Sequence, residues 1–259
     1  MRYAKLMRRL EIIGVEGLGE VESGDPLGRL VAEACARQKV TLLDGDVLVV
    51  AQKIVSKSEG RAVDLRSVTP SGEASRLSAE LDGKDPRLLE LILQESRRIV
   101  AKGRSTIVVE THHGFVCANA GIDLSNIGVD RALLLPTDPD GSARRVRKEV
   151  QRLTGTAVRV VITDTFGRPW RLGTTDVAIG VAGFAPLIDY RGQTDPYGYE
   201  LKASVTAVAD QIAGAAELVM GKTSHVPAAI VRGLDLPPHE GSARELVRPA
   251  ADDLFRGGR

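Results

Sequence analysis

Apolar residues recur along this chain in two rhythms. "LEIIGV" (10–15), "DVLVVAQKIV" (46–55) and the stretch from Val158 to Thr165 are short β-branched runs of the kind that fill buried strands. Between the first two, Pro26 to Arg37 places Leu27, Leu30, Val31 and Ala34 at helical spacing, and "DGD" at 44–46 marks a turn before the second. "DPRLLELILQESRRIVA" (85–101) repeats the helical pattern after Asp85-Pro86, a helix-start signal. "STIVVETHHGFVCANAG" (105–121) predicts two strands with a hairpin through Thr111 to Gly114. "GSARRVRKEVQRLTG" predicts an amphipathic helix opened by Ser142 and closed by Gly155. After "DVAIGVAGFAPLIDYRG" the pattern predicts a long helix from about Glu200 to Met220, then a last strand in "PAAIVRGL". Helices and strands do not alternate one for one, so the expectation is an α+β fold and not a doubly wound sheet. A boundary within "LLLPTDPDGS", at 136–141, is the one subdivision the pattern offers.

Composition narrows the function classes. With 43% hydrophobic and 27% charged residues over 259 positions, the chain is long enough for one large domain or two small ones. A net charge of +1 offers no field for nucleic acid or an anionic membrane, and 3% aromatic content supplies no base-stacking platform. Two distant cysteines, Cys35 and Cys117, argue for a reducing compartment. The basic N-terminus lacks the apolar core of a signal peptide, and no run reaches the length of a membrane span. A cytoplasmic protein is expected.

Two stretches carry candidate chemistry. "VVITDTFGRPW" (160–170) climbs through apolar residues and then sets down Asp164-Thr165, a glycine and Arg168. Such a strand end is also what an Asx-type turn would give. "NAGIDLSN" (119–126) is a poor strand and a poor helix; as a loop, its Asp123 and Asn126 could face a cation and a ligand. Hard cations take one or two carboxylates together with ligand phosphates, so Asp123, Asp164 and the Thr165 hydroxyl form a candidate set, set against two unrelated turns. Arg168, Arg171 and Arg191 offer forks suited to phosphate or carboxylate. "GKTS" (221–224) fails as a P-loop because position 216 is alanine and a helix precedes it. "GVEGLGEV" fails as a dinucleotide fingerprint because Glu22 stands where its last glycine belongs. His112 and His113 would point to opposite faces of a strand and read as turn or surface residues. The run Arg144, Arg145, Arg147 and Lys148 reads as a solvated helix face.

Taken together, "DGDVLVVAQKIVSKSEGR", "NAGIDLSN", "LLLPTDPDGSA", "VVITDTFGRPWR", "GTTDVAIGVAG", "DPYGYEL" and "PAAIVRGL" occur in one order over nearly the whole length. In this the chain resembles the coenzyme F420-0:γ-glutamyl ligase family. The resemblance implies a mixed-sheet α+β fold particular to the family, built as two interwoven subdomains acting as one unit over 1–259. It implies a generally dimeric, GTP-dependent ligase that joins L-glutamate, and further γ-linked glutamates, to the deazaflavin precursor F420-0. It also implies a divalent metal, Mg²⁺ or Mn²⁺, with a monovalent cation such as K⁺ beside it. By position, Asp123 and Asp164 match ligands of one metal and Thr165 of a second. Leu18, Gly19, Glu20, Val21, Gln52, Lys53, Lys57 and Asn126 match nucleotide contacts. So does the last loop, Met220, Gly221, Lys222, Thr223, Ser224, His225 and Val226. Lys57 is a candidate to stabilise developing charge; Arg168 or Arg171 is another, by its place just after Asp164-Thr165 and not by the resemblance. Lys222 departs from the pattern, because archaeal members carry an acidic residue there that helps hold the second metal. "RPAADDLFRG" resembles the bacterial branch, in which a flavin-type domain often follows; a stand-alone enzyme or a shortened chain is expected here. Two rival readings stay open at this point. One is a metal-dependent NTP hydrolase or kinase, which would turn GTP over without an amino-acid acceptor. The other is a non-catalytic deazaflavin-binding module, which would show no metal-dependent affinity for GTP.

Overall fold

A computed structural model describes residues 9–253. Most of the basic N-terminal stretch and the end of "RPAADDLFRG" lie outside the described residues. In chain order the elements are β1 (Glu11–Val15), α1 (Leu27–Arg37), β2 (Val47–Ala51), α2 (Gln52–Ser58) and β3 (Ala62–Asp64). Then come α3 (Gly72–Glu80), α4 (Pro86–Gln94), β4 (Ser96–Lys102), β5 (Ile107–Thr111), β6 (Val116–Ala118) and β7 (Arg131–Leu133). The last third holds α5 (Pro139–Thr154), β8 (Arg159–Arg168), β9 (Arg171–Ala182), β10 (Ile188–Asp189), β11 (Val205–Thr206), α6 (Val208–Met220) and β12 (Ala228–Arg232).

The main sheet has the order β1-β12-β2-β8-β9 and is mixed: only β2 and β8 run parallel. Period-two alternation sorts its residues cleanly. Leu48, Val50, Val160, Ile162, Ala228 and Ile230 face α1 and α5, while Val47, Val49, Val161, Ala229 and Val231 face α6. Both faces are covered, which is why these strands read as unbroken apolar runs. A lesser core forms between α2 and α5 in sequence. There α3 and α4 pack Leu77, Leu81, Leu89 and Ile92 against Ile107 and Val109 of the β4-β5-β6 sheet, and the β3-β7 ladder lies beside it. The α+β expectation holds.

Several boundaries differ from the sequence reading, each for a physical reason. "DVLVVAQKIV" is not one strand: the doubly buried run ends at Ala51, and α2 begins at Gln52. In 85–101 the helix stops at Gln94, because Ser96–Lys102 pairs antiparallel with β5. Helix α5 is capped by Asp138, whose carboxylate accepts from Gly141 N at 3.0 Å with Pro139 in the first turn; Ser142 lies inside the helix. Gly155 ends α5 in the left-handed conformation, as read. Helix α6 starts at Val208, not near Glu200, since Val205–Thr206 pairs with β10. The strand through Val158 to Thr165 runs on to Arg168 and folds back as β9.

Strand β9 is an edge of the main sheet, and its outward amides are closed by carboxylates. Val181 N donates to Asp140 of α5 (2.8 Å), Ala178 N to Asp210 of α6 (2.9 Å) and Asp176 N to Glu217 of α6 (2.9 Å). From Asp176 to Val181 the edge so capped offers little free ladder to another chain. The N-terminus of α5 reaches this edge only because position 180 is glycine: a Cβ there would fall on the Pro139 carbonyl. Gly180→Ala should therefore lower stability by about 1–3 kcal/mol, the usual cost of overpacking. A urea titration checks this; an unchanged midpoint would mean that α5 moves aside without loss.

Candidate active site

The row Val15, Ala228, Val50 and Ile162 lies across the main sheet in register. Beyond that row, on one side, the chain leaves β1 towards Leu18–Val21, enters β12 from 220–226, leaves β2 at Gln52 and carries β8 on to Asp164. Four segments distant in sequence thus meet at one end of the sheet, outside the carboxyl ends of its parallel pair, where open sheets place ligands.

Side-chain contacts tie these segments together. Lys53 of α2 meets Asp123 Oδ2 at 2.8 Å and donates to Ser125 Oγ at 2.5 Å, fixing the 119–126 loop. Lys57, one turn on, meets Glu20 Oε2 at 3.1 Å in the loop after β1. Lys222, beyond the end of α6, donates to Thr165 Oγ1 at 2.6 Å and contacts Asp176 Oδ1 at 3.0 Å and Glu217 Oε1 at 2.6 Å. The 119–126 segment is a loop whose Asn119, Ala120 and Asn126 all adopt positive φ. Such backbone is held only where surroundings over-determine it, and it clusters at functional sites. Asp123 is pinned by backbone bonds with Leu133 in both directions and accepts from Ser125 N at 2.7 Å.

Asp123 and Asp164 have unlike environments. Burial works against the Asp123 charge, but Lys53 and the Ser125 donors outweigh it and hold its carboxyl below the usual value. At Asp164, burial, with the charges of Asp176 and Asp123 behind it, pushes the carboxyl up to about 7 against the Thr165 amide and Lys222. A pocket that crowds carboxylates in this way favours a cation. Two buried acceptors nearby in sequence, Gln52 Oε1 and Asn119 Oδ1, have no partner among the described residues. The two carboxylates, Asp123 and Asp164, are oxygen donors of the kind a hard divalent ion takes. At Glu217, burial is offset by Lys222 and the Asp176 amide, which lower its carboxyl; at Lys222, burial is offset by Glu217 and Asp176, which raise its ammonium.

Of the other sequence candidates, Leu18 and Val21 are buried anchors of the first loop and Gly19 has a positive φ. Asn126 is exposed at the rim, and His225 and Gly221 carry the positive φ values that turn the chain from α6 into β12. Thr223 is exposed in this turn, Ser224 Oγ donates to Met220 O, and Val226 packs on the α6 face of the sheet. Met220 is buried at the end of α6. Arg168 donates to Leu172 O (2.7 Å) and Gly173 O (3.4 Å) of its own hairpin turn, and Arg191 clasps Asp189. Neither guanidinium is directed at the carboxylates by these bonds. The sequence reading missed Asp176 and Glu217. A usable signal existed: Asp210 and Glu217 are the only acids of α6 and fall seven apart, and Asp176 opens a buried strand run. A separate cavity of about 300 Å³ is lined by Arg97, Glu110, His113, Arg244 and Arg248. Phe115 stacks on His113 and meets Phe166 edge-on.

Residues 17–233 match the family described as F420-0:Gamma-glutamyl ligase. The chain belongs to that family. It is 47% identical to the coenzyme F420:L-glutamate ligase of Methanothermobacter thermautotrophicus over 251 residues, which cover 96% of this chain and 99% of the relative. It is 42% identical to the enzyme of the same name from Methanocaldococcus jannaschii over 255 residues (97% and 99%), and 45% identical to that of Methanopyrus kandleri over 253 residues (96% and 97%). Family membership makes the chain an acid–amino-acid ligase. Among the described residues, no helix is long and apolar enough to cross a membrane.

The Asp164 environment has a measurable consequence in metal-free protein. A carboxyl whose proton is held more tightly in the fold than in the unfolded chain stabilises the fold at low pH and loses that contribution as pH rises from about 4 to about 7. With chelator present, Asp164→Asn should match wild type at about pH 4 and become the more stable of the two by about pH 7.5. Urea midpoints across that range test this. Parallel curves for the two proteins would show that the carboxyl is not strained.

Proposed function

We propose that this chain is a GTP-dependent ligase that adds L-glutamate to the deazaflavin precursor F420-0, with a divalent metal, Mg²⁺ or Mn²⁺, held by Asp123 and Asp164. The observation that carries the reading is the convergence of Asp123, Asp164, Lys53 and Lys57 at one end of the main sheet, in a chain whose relatives bear this name. In the first step an oxygen of the F420-0 carboxylate attacks the γ-phosphorus of GTP. A carbon–oxygen–phosphorus bond forms and the bond to GDP breaks. The amine of L-glutamate then attacks the acyl carbon, inorganic phosphate leaves, and the nitrogen gives up a proton as the amide forms.

Phosphoryl transfer needs positioning and charge neutralisation more than covalent help. Asp123 and Asp164 would hold the metal, which when bound supplies positive charge to phosphate oxygens. The chain's own groups do the rest. Lys53 keeps Asp123 ionised and orients it, and it can turn to a phosphate once a metal takes over that carboxylate. Lys57 sits between α2 and the Leu18–Val21 loop, and by exchanging Glu20 for the nucleotide it would draw this loop over the triphosphate. Arg168 could serve the same charge after leaving its hairpin. Gln52 Oε1 and Asn119 Oδ1 are fixed acceptors for donors of the nucleotide or a bound water. A second copy of the chain is the expected partner, for which Trp170 and Leu172 at the exposed tip of the β8-β9 hairpin offer apolar surface.

The test is mass spectrometry of protein incubated with F420-0, L-glutamate, GTP and Mn²⁺ or Mg²⁺. Products heavier by one or more glutamyl residues are expected. Asp123→Asn and Asp164→Asn should each cut turnover by about 10²-fold or more, the scale set by removing one well-placed charge stabiliser. Phosphate release that proceeds without glutamate would replace the ligase reading with a hydrolase. Full activity of both variants would remove the metal assignment.

A further inference from the structure

The Lys222 ammonium occupies a site with the composition of a metal site. Its three protons face three oxygens on three elements: Thr165 Oγ1 on β8 at 2.6 Å, Asp176 Oδ1 on β9 at 3.0 Å and Glu217 Oε1 on α6 at 2.6 Å. Each oxygen is fixed by a further bond. The other Glu217 oxygen accepts from Asp176 N (2.9 Å), the other Asp176 oxygen accepts from Thr163 Oγ1 (3.3 Å), and Thr165 Oγ1 donates to Asp176 Oδ1 (2.6 Å). A hydroxyl with two carboxylates, held by several elements, is the donor set that a hard cation takes. The pair is buried on its acidic side only: the Asp176 side chain is 8% exposed, while Lys222, reaching in from the surface, is 52% exposed. The lysine is delivered by Gly221, whose φ of 57° turns the chain just past α6, so the charge also lies near the negative end of that helix dipole.

We propose that Lys222 is a tethered cation standing in for a second metal ion, so that the enzyme works with one divalent ion on Asp123 and Asp164 and one ammonium on Thr165, Asp176 and Glu217. The inference rests on the ligase reading above. On this account Thr165 serves the ammonium and not a metal. The positive charge on Thr165, Asp176 and Glu217 is then permanent and needs no second ion from solution. A lysine ammonium is compact and reaches this position on a flexible stem, which makes it a closer substitute for an ion than an arginine fork.

The experiment counts ions, with Mn²⁺ as the only added ligand. Free Mn²⁺ is followed by electron paramagnetic resonance in titrations of the full chain and of Lys222→Gln, with circular dichroism to confirm folding. Wild type should bind one Mn²⁺ per chain. Lys222→Gln should bind two; Lys222→Ala replaces it if the glutamine variant does not fold. Two Mn²⁺ in wild type would overturn the proposal, because the ammonium would have yielded its place. One Mn²⁺ in a folded Lys222→Gln would also overturn it, because removing the charge would not have opened a cation site. No Mn²⁺ in wild type would overturn it together with the Asp123–Asp164 assignment. The glutamate-addition assay on the same preparation separates the two readings. Glutamate added by a wild type that binds two ions would refute the tethered cation alone, whereas one ion without glutamate addition would refute the ligase alone.

Discussion

The pairing of β8 with β9 is the constraint on which the site depends. Its register shifts between Ile162↔Gly180 and Thr163↔Ala178, leaving Ile179 as an extra residue on β9. A bulge of this kind re-aims the residues that follow it. Beyond it Asp176 stands opposite Thr165, and Thr163, Thr165 and Asp176 share one hydrogen-bonded cluster. A slip of one residue would send Asp176 to the other face of the sheet and dissolve the cluster. Asp140, Asp210 and Glu217 hold the register from outside, by taking the edge amides that a free β9 would expose. The same Glu217 carboxylate that closes the edge with one oxygen meets Lys222 with the other. Edge protection and site construction are therefore one set of contacts.

From that frame the electrostatics follow. The mixed sheet brings loops from both directions to one end, where Asp123, Asp164, Asp176 and Glu217 gather. Lysines answer two of the resulting problems, Lys53 at Asp123 and Lys222 at the Asp176–Glu217 pair. Among the described residues Asp164 forms no ion pair, and burial with its acidic neighbours pushes its carboxyl up to about 7 despite the Thr165 amide and Lys222. That imbalance is the feature on which the proposed divalent ion rests.

Local patterning made the main sheet and its helices legible, since strands covered on both faces must be apolar throughout. It failed where tertiary pairing decided: Ser96–Lys102 and Val205–Thr206 lie in strands because partners exist for them, not because their residues demand it. The Asp164-Thr165 pair was found as a strand end, yet it sits inside a long hairpin, because nothing in "TDTFGR" announces that β9 will return alongside. Asp123 stood out by its polar surroundings. Asp176 and Glu217 did not, because the role of each appears only when β9 and α6 are packed together. Lys222 was visible as a departure from the family pattern; the three oxygens that hold it were not.

The central claim is that one divalent ion sits between Asp123 and Asp164 while Lys222 stays in place beside it. Anomalous diffraction from crystals grown with Mn²⁺ tests this most directly. The account predicts one peak per chain, within bonding distance of both carboxylates, with the Lys222 ammonium still on Thr165, Asp176 and Glu217. A peak at Asp176 and Glu217 with Lys222 swung away, or no peak at Asp164, would contradict it.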